Sequence, residues 1–260
     1  MAISNEHRLL AGEFSRERNV SLDEGLLMAA LLEGGDPGVM IDVGAHHGGS
    51  AKPFLERGWR VLAFEPDHDN RAVLERLHGK RANLTIDPRA VGSESEAAKP
   101  FYASEESTGI SGLSAFTPGH REVGAVDVVD LETALAEQGL DRVDYLKIDT
   151  EGFDLFVLQG FPWSACRPRA VLCEFEDAKT LPLGYGFHDL CAFLTERGYR
   201  LLISEWHPIL RYGIQHQFKR LATYPSELTA DRAWGNVLAL DESLDLEGVD
   251  ELTASLLKKG

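Results

Sequence analysis

Five short segments constrain this chain's fold more than anything else in it: VMIDVGA (39–45), RVLAFEP (60–66), NLTIDPRAV (83–91), VDYLKID (143–149) and PRAVLCEFE (168–176). They are apolar almost throughout rather than alternating, so both faces of each must be covered. Helical patterns punctuate them: GGSAKPFLERG, DHDNRAVLERLHG, LETALAEQ and FDLFVLQ. Asp67 and Asp130 stand where they can cap two of these helices, and Gly79 and Gly139 lie past two helix ends. Buried strands alternating with helices predict a parallel sheet with helices on each side. Two further strands, YRLLISEW (199–206) and NVLALD (236–241), have no helix between them, so that pair is expected to be antiparallel. The fold class expected is therefore α/β: a Rossmann-like, doubly wound sheet of about seven strands with an antiparallel last pair.

One domain is expected over residues 1–260, with an N-terminal helical flank (1–38) and an insert between the last strands (207–234). In the flank, Ser21-Leu22-Asp23-Glu24 has the spacing of a capping box ahead of LLMAALL. Residues 92–129 are less regular and read as a short hairpin plus the loop STGISGLSAF. The tail DELTASLLKKG reads as a short helix with lysines at its favourable end.

The net charge of −16 argues against nucleic acid and anionic membranes as partners, since either needs a basic stripe. Cys166, Cys173 and Cys191 show no CxxC spacing and read as reduced thiols. The polar start lacks an apolar signal core, and no window approaches a membrane span of about 20 apolar residues. A cytoplasmic location is the expectation.

In doubly wound sheets ligands bind beyond the carboxyl ends of the strands, where the winding reverses. Here that place is the turn Asp42-Val43-Gly44-Ala45-His46-His47-Gly48-Gly49. Gly44 allows a sharp turn off the strand, and Gly48 and Gly49 let the next helix start close to a ligand. Glu65, at the end of the second strand, is placed to accept from both hydroxyls of a ribose. A dinucleotide fingerprint would need glycine where this chain has His46, so that the backbone can approach a pyrophosphate. Asp42 is also an odd neighbour for that anion. Acids on both sides of the turn suit a nucleoside with a cationic tail, S-adenosylmethionine. The alternatives are an NAD-dependent oxidoreductase and a nucleoside-binding protein without catalysis.

These pieces resemble the FkbM-type methyltransferases, a branch of the class I enzymes that use S-adenosylmethionine. The resemblance is carried by MIDVGAHHG, AFEPD with Asn70 after it, AVG (90–92), GISGLSAF, VDVVDLETAL and above all YLKIDTEGFDLFVLQG. It covers roughly 39–176. At one position the chain departs: the family usually has Asn after DVGA, where His46 stands. The resemblance implies methyl transfer to a hydroxyl of a sugar, glycan or secondary metabolite. It also makes Ser111 a candidate cofactor contact, beside Asp42, Gly44, His46, Gly48, Glu65, Asp67 and Asp149.

For that reaction Asp149 and Glu151 are the expected catalytic carboxylates, since an alcohol needs a general base. The competing reading is that Thr150 or Glu151 only caps the following helix. Lys147 lies on the same side of its strand as Asp149, which suggests an internal ion pair. A divalent metal on Asp149, Glu174 and Glu176 is a rival mechanism that is not favoured. His120, His188, His207 and His216 are further candidates for a base or an acceptor contact. The insert's Tyr212, Phe218 and Tyr224, interrupted by Arg211, Lys219 and Arg220, suit a sugar acceptor carrying an anion, or else pack as a lid.

Overall fold

The computed structural model describes residues 20–104, 107–211 and 214–259. The chain divides into two compact units, one of Gly34–Cys173 and one of the residues up to Glu33 with Glu174 onward. The first half of the expected N-terminal flank, up to residue 19, and Tyr212 of the insert lie outside the described residues. The second unit holds the first elements in chain order, β1 (Val20–Ser21) and α1 (Glu24–Leu31).

Within Gly34–Cys173 run β2 (Val39–Val43), α2 (Lys52–Glu56), β3 (Arg60–Phe64), α3 (His68–His78) and β4 (Leu84–Asp87). Then come β5 (Ala90–Gly92), β6 (Glu96–Ser104), β7 (His120–Asp130), α4 (Leu131–Glu137), β8 (Tyr145–Ile148), α5 (Asp154–Gln159) and the start of β9 (Ala170–Glu176). The strands lie in the order β9-β8-β2-β3-β4, all parallel. The winding therefore reverses at β2. Met40, Ile41, Val61, Leu62, Phe64, Leu146 and Ile148 are all buried, from both faces of their strands, which explains the unbroken apolar runs. Asp67 caps α3 through the N–H groups of Asp69 and Asn70, and Asp130 caps α4 through that of Thr133.

The third apolar segment is two strands rather than one. Pro88 has no N–H to give a ladder, and Arg89 N–H turns back onto the Asp87 carboxylate. β4 stays with β3, while β5 leaves to pair with β7 in a separate sheet of order β5-β7-β6. The expected short hairpin is the long antiparallel pair β6–β7 of that sheet.

In the second unit β9 continues through Glu176, followed by α6 (Asp177–Thr180), α7 (Phe187–Thr195), β10 (Arg200–Trp206), β11 (Phe218–Thr223), β12 (Trp234–Leu240), α8 (Val249–Leu256) and β13 (Lys258–Lys259). β10 pairs antiparallel with β12, as expected, and also with β11. The expected insert thus contributes a sheet strand: Phe218 and Leu221 are core, and Lys219 and Arg220 reach the buried Glu205. Those two cations balance an interior acid, so they are committed within the fold.

Two end signals misled. The capping box does not form, because Ser21 is drawn into β1 against Lys258, and Asp23 caps α1 through Leu26 N–H instead. The terminal lysines lie past α8, in β13. None of the three cysteines is in a disulfide, and Cys173 and Cys191 are buried.

Candidate active site

β2 and β8 are parallel neighbours in a register that sets Asp42 beside Lys147 and Val43 beside Ile148. The loops leaving these strands therefore emerge together. Gly44 turns off β2 with φ +76°, and a side chain there would come within 1.9 Å of the Asp149 carbonyl oxygen. Only glycine lets the two loops close this tightly. The N–H groups of Gly44 and Ala45 both donate to Phe64 O, at 3.0 Å, which ties the turn to the end of β3.

Glu65 follows directly. Its Oε2 accepts the N–H of His46 at 2.6 Å and its Oε1 that of Asp67 at 2.9 Å. The residue is 5% exposed. Burial pushes its pKa up to about 7, against the two backbone N–H groups, which favour the charge.

The other side of the site is the turn after β8. Glu151 and Gly152 both take positive φ, +58° and +101°. That conformation is costly for a glutamate and marks a turn held by its surroundings. The helix that follows, α5, has Phe153 at its N-cap and no side-chain cap bond. The capping reading for Thr150 and Glu151 therefore fails. The Thr150 hydroxyl instead donates to the fully buried Asp154 at 2.9 Å, which fastens the turn to the helix.

Beneath both turns lies a buried charge cluster. Lys147 Nζ is 3.1 Å from Asp42 Oδ1, 3.7 Å from Asp149 Oδ2, and donates to Gly44 O at 2.6 Å. Burial opposes the lysine's charge, yet Asp42 and Asp149 prevail and hold its pKa above the ordinary value. The expected ion pair of Lys147 exists, with Asp42 as its closer partner.

These loops enclose a pocket of about 180 Å³. Of the residues singled out from the sequence, Gly44, His46, Glu65, Ser111, Asp149 and Glu151 line it. Asp42 sits below it with no exposed surface, Gly48 faces Leu74 and His78 and packs a helix, and Asp67 caps α3 and accepts from the Ser111 hydroxyl at 3.0 Å. The wall also contains residues not singled out from the sequence: Phe101 and Thr108, and Leu113 and Phe153 within two of the motifs. The histidine candidates divide. His120 accepts from Thr117 N–H and meets Ile110 O at 2.7 Å, so it shapes the loop that carries Ser111. His188 lies beside Tyr224 and Glu227, His207 accepts from Trp234 through its carbonyl, and His216 packs edge-on against Trp234, all in the second unit.

A family model for the methyltransferase FkbM domain matches residues 42–201, more than half of the chain. The chain belongs to the FkbM methyltransferase family. A search of the curated proteins finds no match. Among solved structures, precorrin-6Y C5,15-methyltransferase from Geobacter metallireducens shares 13% identity over 84% of this chain and 87% of that one, with a TM-score of 0.44. The precorrin 8W decarboxylase of Methanobacterium thermoautotrophicum shares 16% over 83% and 88%, with a TM-score of 0.42. TehB from Haemophilus influenzae shares 8% over 84% and 62%, with a TM-score of 0.46. These likenesses are loose, and the assignment stands on the family model and the motifs.

As an FkbM methyltransferase, the protein uses S-adenosylmethionine, and the pocket suits that group. Its lining has three carboxylates, Glu65, Asp149 and Glu151, and no lysine or arginine. Phe64, Val91 and Phe101 supply apolar wall for a base. A pyrophosphate would find no cation on these walls, and the oxidoreductase alternative is set aside. Glu174 and Glu176, the other acids of the rival metal mechanism, both meet a resident cation, Lys179, at 3.1 and 2.9 Å.

Proposed function

We propose that this FkbM methyltransferase methylates a hydroxyl oxygen of a sugar, glycan or small secondary metabolite. The observation that carries the reading is a pocket walled by three carboxylates and by no lysine or arginine, two of those carboxylates on one turn. When bound, S-adenosylmethionine supplies a methyl group activated on a sulfonium. The chain's own residues do the rest. Glu65 is placed to accept from ribose hydroxyls, and Gly44 lets the backbone close beneath the cofactor. Asp149, whose side chain is 44% exposed, can reach an acceptor hydroxyl and take its proton. Glu151, held in a strained turn, orients that hydroxyl. Holding donor and acceptor in line would supply much of the rate.

The family match runs across the boundary between the two units, which supports reading them as parts of one domain. No helix among the described residues is long and apolar enough to cross a membrane, and the acidic balance fits a cytoplasmic enzyme with a small or glycan acceptor and no nucleic-acid partner. The test is calorimetric titration with S-adenosylmethionine and with NAD, with and without a chelator, followed by an acceptor screen. Tight binding of the first alone, then methylation of a polyhydroxy acceptor that Asp149→Asn strongly slows, is the expected result. Methylation of amines only would overturn the oxygen-acceptor reading.

A further inference from the structure

The loop Ser107–Leu113 is held from several sides, and those sides are the motifs of the site. Thr108 Oγ1 meets His46 Nε2 of the glycine turn at 3.1 Å. Thr108 O accepts from Asn70 Nδ2 at 2.8 Å, and Ser111 Oγ donates to Asp67 Oδ2 at 3.0 Å, both on the α3 side of the ribose acid. At Gly112 the loop passes the acidic turn so closely that an added Cβ would lie 3.4 Å from Glu151 Cβ and 3.6 Å from Thr150 O. Its far end is fixed by reciprocal bonds between Tyr102 and Gly112, both 2.9 Å, and by His120 against Ile110 O. Thr108, Gly109, Ser111, Gly112 and Leu113 all face the pocket.

His46 takes φ +49°, a conformation that disfavours most side chains and that glycine or asparagine would adopt more readily. Its ring meets Thr108, which ties the turn to the loop.

We propose that Ser107–Leu113 is a strap that carries the state of the cofactor loops to Glu151, and that Thr108 is its positioning residue. The proposal rests on the pocket being the cofactor site. Occupation of the pocket fixes the glycine turn and the α3 loop, which pull the strap taut through Thr108 and Ser111. The strap then presses the acidic turn at Gly112 into the arrangement that receives the acceptor. Cofactor binding should therefore precede and order the acceptor side. Thr108 is itself exposed, so replacing its hydroxyl leaves the core untouched.

The experiment uses the whole protein and S-adenosylhomocysteine as the unreactive probe. Calorimetry and hydrogen–deuterium exchange are run on the wild type, Thr108→Val and Thr108→Ser, with thermal melts as a folding control. In the wild type the probe should slow exchange both at 107–113 and at 149–153. Thr108→Val should bind about five-fold more weakly, the scale of one lost hydrogen bond, and lose the protection at 149–153. Thr108→Ser should restore both. Equal binding and equal protection in Thr108→Val would overturn the strap, as would a failure of serine to rescue. A wild type that does not bind the probe at all would instead overturn the pocket as the cofactor site, and the strap with it.

Discussion

Each unit buries a lysine between two acids, and the two clusters differ in one respect. Lys179, 2% exposed, sits between Glu174 and Glu176, both buried and both within about 3 Å of its nitrogen. Lys147, 6% exposed, has one such partner, Asp42, and a second, Asp149, that is nearly half exposed and 3.7 Å away. The first arrangement holds both of its carboxylates against one buried ammonium. The second leaves one carboxylate only loosely held, on the wall of a pocket, while the lysine stays anchored by Asp42 and the Gly44 carbonyl. Acids that end neighbouring strands look alike in the sequence; their pairing distinguishes them.

The largest effect should come from the exposed member of the Lys147 cluster. Asp149→Asn is expected to lower turnover on an acceptor found by screening by about 10²–10⁴-fold, the usual worth of a general base, with little change in the melting temperature. Turnover within threefold of wild type would erase the contrast between the two clusters. Next is Lys147→Met, which strands a fully buried Asp42. Denaturant unfolding should show a loss of about 3–5 kcal/mol, and adding Asp42→Asn should recover much of it. If Lys147→Met costs less than 1 kcal/mol, the buried pair is not what anchors the site.

Glu65 gives an effect of middle size, read against pH. Its pKa is raised from 4.5 to about 7, so between those values the folded protein binds more protons than the unfolded chain. Stability of the ligand-free protein should therefore fall as pH rises from 4.5 through 7. Cofactor affinity should move the other way. Ribose hydroxyls need the ionised carboxylate, so affinity should weaken by up to about tenfold per unit as pH drops below 7. Calorimetry at pH 6 and 8 checks this, and Glu65→Gln should flatten the dependence. The smallest effect belongs to Ser111→Ala, which removes one partly exposed bond to Asp67; a change in cofactor affinity of about threefold or less is expected by titration.

Much of the site was legible because strand ends carry their chemistry in adjacent residues. Gly44, Glu65 and Asp149 each follow an apolar run directly, Glu151 lies two residues past Asp149, and the topology rule for doubly wound sheets brings such ends together. Gly48 and Asp42 were read one layer too far forward. Nothing in the sequence separates a glycine that admits a ligand from one that admits Leu74, or an acid above the turn from one below it. Thr108 carried no signal at all, since it lies 62 residues from His46 and meets it only across the pocket. Of the two readings of the insert, the buried Phe218 agrees with packing on the core, and the availability of its cations is what the sequence overstated. Lys219 and Arg220 looked available for an anionic acceptor because the partner that claims them, Glu205, sits on another strand.

The sequence by itself determined the α/β class, the parallel strands with an antiparallel end, the family and the carboxylates at the strand ends. Those depend on local periodicity and on residues close in the chain, where the pattern and the physics coincide. The tertiary structure alone decided which acids are neutralised and which face the pocket, the split of the third apolar segment, and the loop that spans the site. Those depend on which distant side chains share one buried space, and burial, rather than residue type, sets what a charge can do there.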